Sequence, residues 1–429
     1  MTQNLKIFLA DSADLGDFIF KKLSAKSAES ARGKNHFNPF NLWQDEKIIT
    51  MKNIIICILI SAVSFAQQIK TGAENSEKYL PLLKGKTVGI VTNQTGIITK
   101  EKHLVDFLVE QKVKIKSIFA PEHGFRGTAD AGENVSDEID SKTGLQIVSL
   151  YGKNNKPTPD QLKGIDVMIF DLQDVGTRLY TYVSTMHRIM EACAENNVPL
   201  IVLDRPNPNI AIVDGPVLDI AFKSGIGMHP TPLLHGMTLG EEAKMINGQK
   251  WLKDGIQCKL TVIPCLNYTR KSSYSLPVRP SPNLPNDQAI NLYVSLCLFE
   301  GTNVSMGRGT EKQFQIYGSP YLPKSDFAFT PQPNFGDKDP LYKGIECNGE
   351  DLSSIPRISR LEIKWLIKAY QTTADKSKFF DKRKFAIRAG NEKLQQQIEA
   401  GISEEEIRNS WKEGLIAFKK MRAKYLIYK

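Results

Sequence analysis

Residues 167–204, VMIFDLQDVGTRLYTYVSTMHRIMEACAENNVPLIVLD, contain two short apolar runs on either side of a helical pattern. The runs, VMIFD at 167–171 and LIVLD at 200–204, are almost entirely apolar, which is typical of strands buried on both faces of a parallel sheet. Residues 181–196 between them have the apolar spacing of a helix. Because parallel strands are joined through a crossover helix, this stretch predicts an α/β protein.

The same alternation extends in both directions along the chain. Further buried strands are predicted at 87–92, 115–120 and 260–264, and further helices at 102–111 and 239–247. Thr238 and Glu241 have the spacing of a capping box at the start of the last helix. The sequence therefore predicts a Rossmann-like domain with a mainly parallel sheet over residues 67–285.

A proline-rich stretch, LPVRPSPNLP at residues 276–285, predicts the end of this first domain. The tail at 359–429 is helical in pattern and rich in Lys and Glu, and Ser403 with Glu406 forms another capping-box pattern. The predicted fold class is therefore α/β, a Rossmann-like domain followed by a smaller α+β C-terminal domain over residues 286–429.

The composition is that of an ordinary globular protein. Of 429 residues, 41% are hydrophobic and 24% are charged, which excludes a mostly disordered chain. The net charge of +9 is modest, so it permits an anionic ligand but gives no reason to predict a nucleic-acid partner. Of six cysteines, the five after residue 66 have no CxxC or Cys/His metal spacing and are predicted to be mostly buried small apolar residues.

The beginning of the chain has the pattern of an export signal. Residues 1–50 are polar without period, and we interpret them as an extension from an upstream start codon. The apolar run at 54–65 is 12 residues long and follows a short basic opening, whereas a membrane span needs about 20. Small residues precede Gln67 at the −3 and −1 positions. We predict a signal peptide at 51–66, export to the periplasm or the exterior, and no stable membrane insertion. The alternative is a buried strand or a short core helix.

Polar residues follow four predicted strands at the point where each ends. The loops carry NQTG at 93–96, PEHGFRG at 121–127, DLQDVGTRLY at 171–180 and DRPNPN at 204–209. Because ligands bind beyond the carboxyl ends of parallel strands, we predict one polar pocket there. Asn93 and Asn207 are candidate ligand-binding residues. Tyr180 can stack on a sugar face, although an aromatic residue opening a helix is as often part of the core.

Glu122 is the candidate general acid of this pocket. It stands at the end of an apolar strand, where desolvation raises the pKa of a carboxyl group. Gly124 and Gly127 let the backbone approach a ligand closely. The alternative is a surface carboxylate that caps a helix. His123 orients Glu122, binds the ligand or fills space, and the sequence does not separate these roles.

Two aspartates and two arginines complete the set of charged candidates. Asp171 and Asp174 offer a second carboxylate, and one of them can instead cap a helix expected to begin near Thr177. Arg126 and Arg178 can each bind an anion through two hydrogen bonds. The alternative for these arginines is a salt bridge to Asp171, Asp174 or Glu122.

The sequence predicts no metal and no cofactor. His229 and His235 could join His123 around zinc, but a six-residue spacing across two prolines is no recognised ligand motif. The glycine-rich loop at 299–311 lacks both GxxxxGK[ST] and GxGxxG, which argues against nucleotide binding. A GxSxG elbow is absent too, which weakens the case for a serine hydrolase.

Six motifs, in this order, resemble the family once called DUF1343, which is known through the NamZ-type exo-β-N-acetylmuramidases. The motifs are VGIVTNQTG (88–96), FAPEHGFRG (119–127), IFDLQDVGTRLYTYVSTM (169–186), LDRPNP (203–208), LLHGMTLGE (233–241) and FEGTNVSMGRGT (299–310). The resemblance covers nearly all of the chain after residue 66. It implies a Rossmann-like N-terminal domain, a smaller C-terminal domain and a cleft between them.

The resemblance also implies a reaction, the removal of β-linked N-acetylmuramic acid (MurNAc) from the non-reducing end of peptidoglycan fragments in cell-wall recycling. The expected partner is a fragment such as MurNAc-GlcNAc, where GlcNAc is N-acetylglucosamine. The key glutamate of the family lies in the PEHG motif, which is Glu122 here. Glycoside hydrolysis usually needs such an acid and a second group across the sugar ring.

The remaining roles follow from the substrate that the resemblance implies. Muramic acid carries a lactyl carboxylate, for which the candidate partners are Arg126, Arg178 and Arg308. The N-acetyl group can act as an internal nucleophile, oriented by Asp171, Asp174 or Glu311. Two alternatives stay open: a metal-dependent hydrolase of cell-wall sugars and a non-catalytic peptidoglycan-binding protein.

Overall fold

The computed structural model describes residues 68–121, 124–125, 138–152 and 154–429. The predicted extension at 1–50 and signal peptide at 51–66 therefore lie outside the described residues. The strands are β1 Thr87–Thr92, β2 Ile97–Thr99, β3 Lys102–His103, β4 Lys114–Ala120, β5 Glu138–Ile139, β6 Gln146–Ser149, β7 Val167–Asp171, β8 Leu200–Leu203, β9 Asp214–Val217, β10 Pro232–Leu234, β11 Leu260–Ile263, β12 Ile316–Ser319, β13 Ala328–Phe329 and β14 Cys347–Asp351. The helices are α1 Ser76–Leu83, α2 Leu104–Glu110, α3 Pro159–Leu162, α4 Tyr182–Glu195, α5 Leu239–Gly248, α6 Asp287–Leu296, α7 Lys364–Thr372, α8 Lys382–Ala389, α9 Lys393–Glu399, α10 Glu404–Asn409 and α11 Lys412–Arg422.

The central sheet has the strand order β11-β8-β7-β1-β4-β6-β5 within the described ranges. Its neighbouring strands are parallel except for β5, which runs antiparallel to β6 at the edge. All five strands that the apolar runs predicted are present, whereas β6 and the edge strand β5 were not predicted. The expected α/β fold class is confirmed.

Alternate residues of the central strands enter two different cores, which explains why their sequences are apolar throughout. Met168 and Phe170 of β7 belong to one buried cluster, and Ile169 belongs to the other. Helix α4 covers the first face with side chains such as Met186, while α2 covers the second with Leu104 and its neighbours. Because both faces are buried, neither needs the polar alternation of a half-exposed strand.

Two helices begin later than the sequence indicated. The helix expected near Thr177 begins at Tyr182, because Thr177 forms a β-bridge with Leu234 instead of a first helical turn. The helix expected from residue 102 begins at Leu104, because His103 takes the capping position and its Nδ1 accepts the Val105 N–H at 3.1 Å. The expectation that Asp171 or Asp174 caps a helix at Thr177 is therefore wrong.

The C-terminal part of the chain has a sheet of its own. Strands β12, β14 and β13 pair antiparallel in that order, and helices α7 to α11 follow. The capping box at Ser403 and Glu406 is confirmed, as is the one at Thr238 and Glu241. This part matches the predicted smaller α+β unit.

The end of the chain returns to the central sheet. The Tyr428 hydroxyl donates to Asp204 Oδ2 at 2.6 Å, just beyond β8. The backbone N–H groups of Ile427 and Tyr428 both donate to Glu241 Oε1. The final residues thus tie themselves to the carboxyl edge of the sheet and to α5.

The structure also shows the state of the cysteines and the lengths of the helices. In the described part of the chain all cysteines are buried, as predicted, and none forms a disulfide: Cys193, Cys258, Cys265, Cys297 and Cys347. None of the described helices combines the length and the apolar composition that crossing a bilayer requires.

Candidate functional site

The loops after β1, β7 and β8 lie side by side at the carboxyl edge of the sheet and are joined by hydrogen bonds. The backbone N–H of Gln173 donates to Thr95 Oγ1 at 3.1 Å, and Gln173 Nε2 donates to the Pro206 carbonyl oxygen at 2.7 Å. Asn93 Oδ1 in turn accepts from the backbone and the hydroxyl of Thr95. The structure therefore brings these three loops together, as the sequence predicted.

The loop after β4 is described only in part. Phe125 is buried, and its ring lies edge-on to the ring of His103 with 5.1 Å between the centroids. This contact joins the loop to the segment that follows β1. Three predicted site residues of this loop lie outside the described residues, and their roles stay predictions: Glu122, His123 and Arg126.

Asp171 and Arg205 form a buried ion pair across the ends of β7 and β8. Arg205 Nε donates to Asp171 Oδ1 at 2.6 Å, and Nη2 donates to Oδ2 at 2.9 Å. Nη2 also donates to the carbonyl oxygen of Ile97 at 2.9 Å. Burial alone would lower the pKa of Arg205, but the Asp171 carboxylate holds it above its ordinary value. The pair is therefore a fixed, charged element of the site.

Asp174 has one satisfied and one unsatisfied oxygen. Its Oδ2 accepts the backbone N–H of Gly176 at 2.6 Å, while its buried Oδ1 has no hydrogen-bond partner among the described residues. Burial raises the pKa of Asp174 to about 7, against the lowering effect of the Gly176 and Val175 N–H groups. This aspartate can therefore hold or release a proton near neutral pH.

Glu242 and His235 form a second buried acid–base pair close to Asp174. Glu242 Oε1 lies 3.1 Å from His235 Nδ1. Burial, with the nearby carboxylates of Asp174 and Glu241, raises the pKa of Glu242 to about 8. Burial and nearby arginines such as Arg422 lower the pKa of His235 to about 3. Both side chains are therefore neutral near pH 7, so this contact is between an acid and an uncharged imidazole rather than between ions.

The two asparagines proposed to bind substrate are buried and hydrogen-bonded within the protein. Asn93 Nδ2 donates to the Tyr182 hydroxyl at 2.6 Å. Asn207 Nδ2 donates to the Met237 carbonyl oxygen at 2.9 Å, and its Oδ1 accepts the backbone N–H of Asn209. These contacts shape the loops after β1 and β8, and the proposed substrate contacts of both asparagines stay predictions.

Arg178 and Tyr180 are buried between the two parts of the chain. Arg178 donates to the carbonyl oxygens of Thr231 and Arg388, and it makes no salt bridge within the described residues, so the suggested pairing with Asp171 or Asp174 is wrong. Burial lowers the pKa of Arg178 to about 9.

The Tyr180 hydroxyl donates to the Pro280 carbonyl oxygen at 2.6 Å, and its ring packs edge-on against Tyr182 and Tyr293. The ring and the hydroxyl of Tyr180 thus both have partners in the core. For both residues, the proposed substrate contact stays a prediction.

Arg308 and Glu311 have different surroundings in the glycine-rich loop. Arg308 donates to Glu300 Oε1 at 2.8 Å and lies over the Phe314 ring at 5.2 Å, and Arg388 binds the other oxygen of Glu300. Glu311 is exposed to solvent. The proposed role of each with the substrate stays a prediction.

The two described histidines of the metal alternative contact different partners. His229 Nε2 lies 2.9 Å from Nδ1 of His187, and its ring stacks on Trp251. His235 instead faces Glu242. Among the described residues, no three histidine, cysteine, aspartate or glutamate side chains are grouped so as to hold a metal ion.

Sequence reasoning missed three residues of this region. Arg205 lies within the quoted motif LDRPNP, so the motif itself was a signal for it. Glu242 follows the motif LLHGMTLGE directly, but its approach to His235 depends on the folded chain. Tyr274 lines a surface cleft with Arg205, and no motif marked it.

The comparisons with known proteins cover both parts of the chain. The family model for the N-terminal part of the exo-β-N-acetylmuramidase NamZ matches residues 88–288, and the model for its C-terminal part matches residues 291–428. The chain is also 39% identical over 383 residues to the peptidoglycan β-N-acetylmuramidase NamZ of Bacillus subtilis strain 168. That match spans 84% of this chain and 92% of the relative.

Two crystal structures of DUF1343 family proteins from Bacteroides fragilis NCTC 9343 have the same fold. BF0379 matches with a TM-score of 0.79 and 44% identity, over 85% of this chain and 99% of that one. BF0371 matches with a TM-score of 0.72 and 30% identity, over 84% of this chain and 99% of that one. The resemblance found in the motifs is confirmed, and with it the expectation of a glycoside hydrolase. The chain belongs to the NamZ family of exo-β-N-acetylmuramidases.

Proposed function

We propose that the protein removes β-linked MurNAc from the non-reducing end of peptidoglycan fragments, with MurNAc-GlcNAc as the minimal substrate. The observation that carries this proposal is the match to the Bacillus subtilis peptidoglycan β-N-acetylmuramidase, which extends over 92% of that relative's length. The carboxyl edge of the sheet supports it, because carboxylate, guanidinium and amide groups meet there at the usual ligand position of an open α/β sheet.

In this proposal Glu122 protonates the leaving oxygen and a second carboxylate acts across the sugar ring. The contacts favour Asp174 over Asp171 as that second group. Both oxygens of Asp171 are bound by Arg205, so a substrate contact would have to break the ion pair. Asp174 keeps a free Oδ1 and has a pKa raised by burial to about 7, which suits a group that handles protons. Asp171 then acts as the residue that positions Arg205.

We also propose that the protein is exported and acts in the periplasm or outside the cell. The basic opening, the 12-residue apolar run and the small residues before Gln67 support this proposal. N-terminal sequencing of the exported protein is the test. The expected mature terminus is Gln67, and a terminus upstream of Met51 would contradict both the signal peptide and the proposed start site.

Two disaccharides that differ only in the order of their sugars test the proposed reaction. The purified protein is incubated with MurNAc-GlcNAc and with GlcNAc-MurNAc, and the products are identified by mass spectrometry. We expect free MurNAc from the first substrate and no cleavage of the second. Cleavage of neither would contradict the proposal. The same reaction is run in parallel with a chelator and is expected to proceed unchanged. Loss of activity in the presence of the chelator would favour the metal-dependent alternative.

A further inference from the structure

A surface cleft with a volume of about 340 Å³ lies at the carboxyl edge of the sheet. We call it the Arg205 cleft, and its defining residues are Thr71, Glu74, Ile97, Lys100, Arg205 and Tyr274. Ile97 and Lys100 belong to the segment after β1, and Arg205 follows β8. The cleft is therefore built on the same loops as the candidate site, and its volume is at the lower end of the range for small-molecule pockets, about 300–1,000 Å³.

Arg205 offers this cleft a hydrogen-bond donor that no described residue uses. Its side chain is almost completely buried, and Nε and Nη2 are bound to Asp171 and to the Ile97 carbonyl oxygen. Nη1 makes no hydrogen bond within the described ranges, although the residue lines the cleft. The ion pair thus holds the guanidinium rigidly and leaves one of its nitrogens available to a ligand.

Two further donors in the cleft also lack partners among the described residues. Tyr274 is half-buried, and its hydroxyl forms no hydrogen bond there. Lys100 is exposed and forms no ion pair with any described residue. Residues that carry a guanidinium, a phenol and an ammonium group thus line one small cavity, and such donors suit a carboxylate.

Glu74 gives the cleft an acceptor as well. Its Oε2 already accepts from the backbone and the hydroxyl of Thr71, at 2.7 and 3.0 Å. Its other oxygen makes no hydrogen bond within the described part of the chain and can accept one from a hydroxyl or an amide N–H of a ligand. A ligand that matches the cleft therefore carries both a carboxylate and hydroxyl or amide donors on a frame of about one sugar ring.

We propose that the Arg205 cleft binds the carboxylate of a muramic-acid ligand through Arg205, Tyr274 and Lys100. This inference rests on the proposed function for the identity of the sugar. The carboxylate has two sources in peptidoglycan fragments, the lactyl group of MurNAc itself and the amino acids attached to it. Both present the same anion to the same donors, and GlcNAc, which lacks the lactyl group, presents none.

Binding by calorimetry tests this inference with two variants that lie outside the proposed catalytic residues, Tyr274→Phe and Lys100→Ala. The ligands are MurNAc, GlcNAc and muramyl dipeptide, in which the lactyl carboxyl is an amide. If the cleft binds the lactyl group, each variant loses about tenfold in affinity for MurNAc, which is the loss expected for one hydrogen bond to a charged group. If it binds the peptide carboxylate, the loss is confined to muramyl dipeptide. Either result supports the carboxylate site.

Matched controls are available elsewhere on the surface. Lys84→Ala removes a lysine from a second cleft, which lies next to the amino end of β1, and Tyr321→Phe removes an exposed phenol hydroxyl. Both controls are expected to bind like the wild type. Unchanged affinity of Tyr274→Phe and Lys100→Ala for both muramyl ligands would overturn the inference, as would an equal loss for GlcNAc. Because binding is measured without turnover, a wild type that binds but does not cleave would instead count against the proposed function alone.

Discussion

The Arg205 guanidinium binds both carboxylate oxygens of Asp171, at 2.6 Å from Nε to Oδ1 and at 2.9 Å from Nη2 to Oδ2. A third hydrogen bond runs from Nη2 to the Ile97 carbonyl oxygen, so one side chain connects the ends of β8 and β7 with the segment after β1. Because both charges are buried away from water, each is stabilised by the opposite charge of the other.

Replacing Asp171 with Asn should therefore destabilise the protein strongly. The change leaves a buried arginine without its counter-charge, and breaking a buried pair in this way costs about 3–5 kcal/mol. Urea unfolding monitored by circular dichroism measures the free energy of unfolding of both proteins. The control is Asp339→Asn, which breaks an exposed contact with Lys343 and should cost less than about 1 kcal/mol. Equal losses in the two variants would show that the buried pair does not support the fold.

Replacing Glu242 with Gln should change how stability depends on pH. Burial raises the pKa of Glu242 from 4.5 to about 8, so the folded protein binds this proton more tightly than the unfolded chain does. The free energy of unfolding therefore falls as the pH rises from about 4.5 to about 8. Asp174, with its pKa raised to about 7, acts in the same direction.

In the Gln variant the fall between about pH 6 and about pH 8.5 should shrink by roughly 2–3 kcal/mol, because glutamine has no proton to lose. Urea unfolding at the two pH values measures the difference. The control is Glu405→Gln, an exposed glutamate of α10, which should leave the pH dependence as it is in the wild type. A wild-type fall that persists unchanged in Glu242→Gln would refute the neutral pairing of Glu242 with His235.

Replacing Gly176 with Ala should destabilise the loop after β7. Gly176 has φ +83°, and an added Cβ would collide with the Asn207 side chain. Gly164 provides a matched control, because it has φ +78° with nothing within 4 Å of an added Cβ. Gly164→Ala should lower the free energy of unfolding only by the cost of placing alanine in the left-handed backbone region, about 1–2 kcal/mol. Gly176→Ala should exceed that cost by at least about 1 kcal/mol, because the overlap must displace Asn207 from its hydrogen bonds. Equal unfolding free energies would contradict the close approach of these loops.

The sequence predicted the parts of this structure that depend on local patterns. The runs VMIFD and LIVLD predicted β7 and β8 because strands buried on both faces must be apolar at every position. The position of the polar loops then followed from the rule that the ends of parallel strands meet at one edge.

Features that depend on distant partners were not predictable in this way. Arg178 has the residue type of an anion binder, yet its guanidinium donates to carbonyl oxygens, one of them at Arg388, which is 210 positions along the chain. The late start of α4 has the same kind of cause, since Thr177 pairs with Leu234. The raised pKa of Glu242 arises from burial beside Asp174, and no spacing in the sequence records that proximity.

The most direct test of the account is the rate at which the protein releases MurNAc from MurNAc-GlcNAc when Glu122 is replaced by Gln. The change keeps the shape of the side chain and removes its proton. Loss of a general acid should lower kcat by about 10²–10⁴-fold, with a smaller change in KM. Glu138→Gln, an exposed glutamate of β5, serves as the control and should retain wild-type turnover. A Glu122→Gln variant that turns over within a few-fold of the wild type would contradict the assignment of Glu122 as the acid.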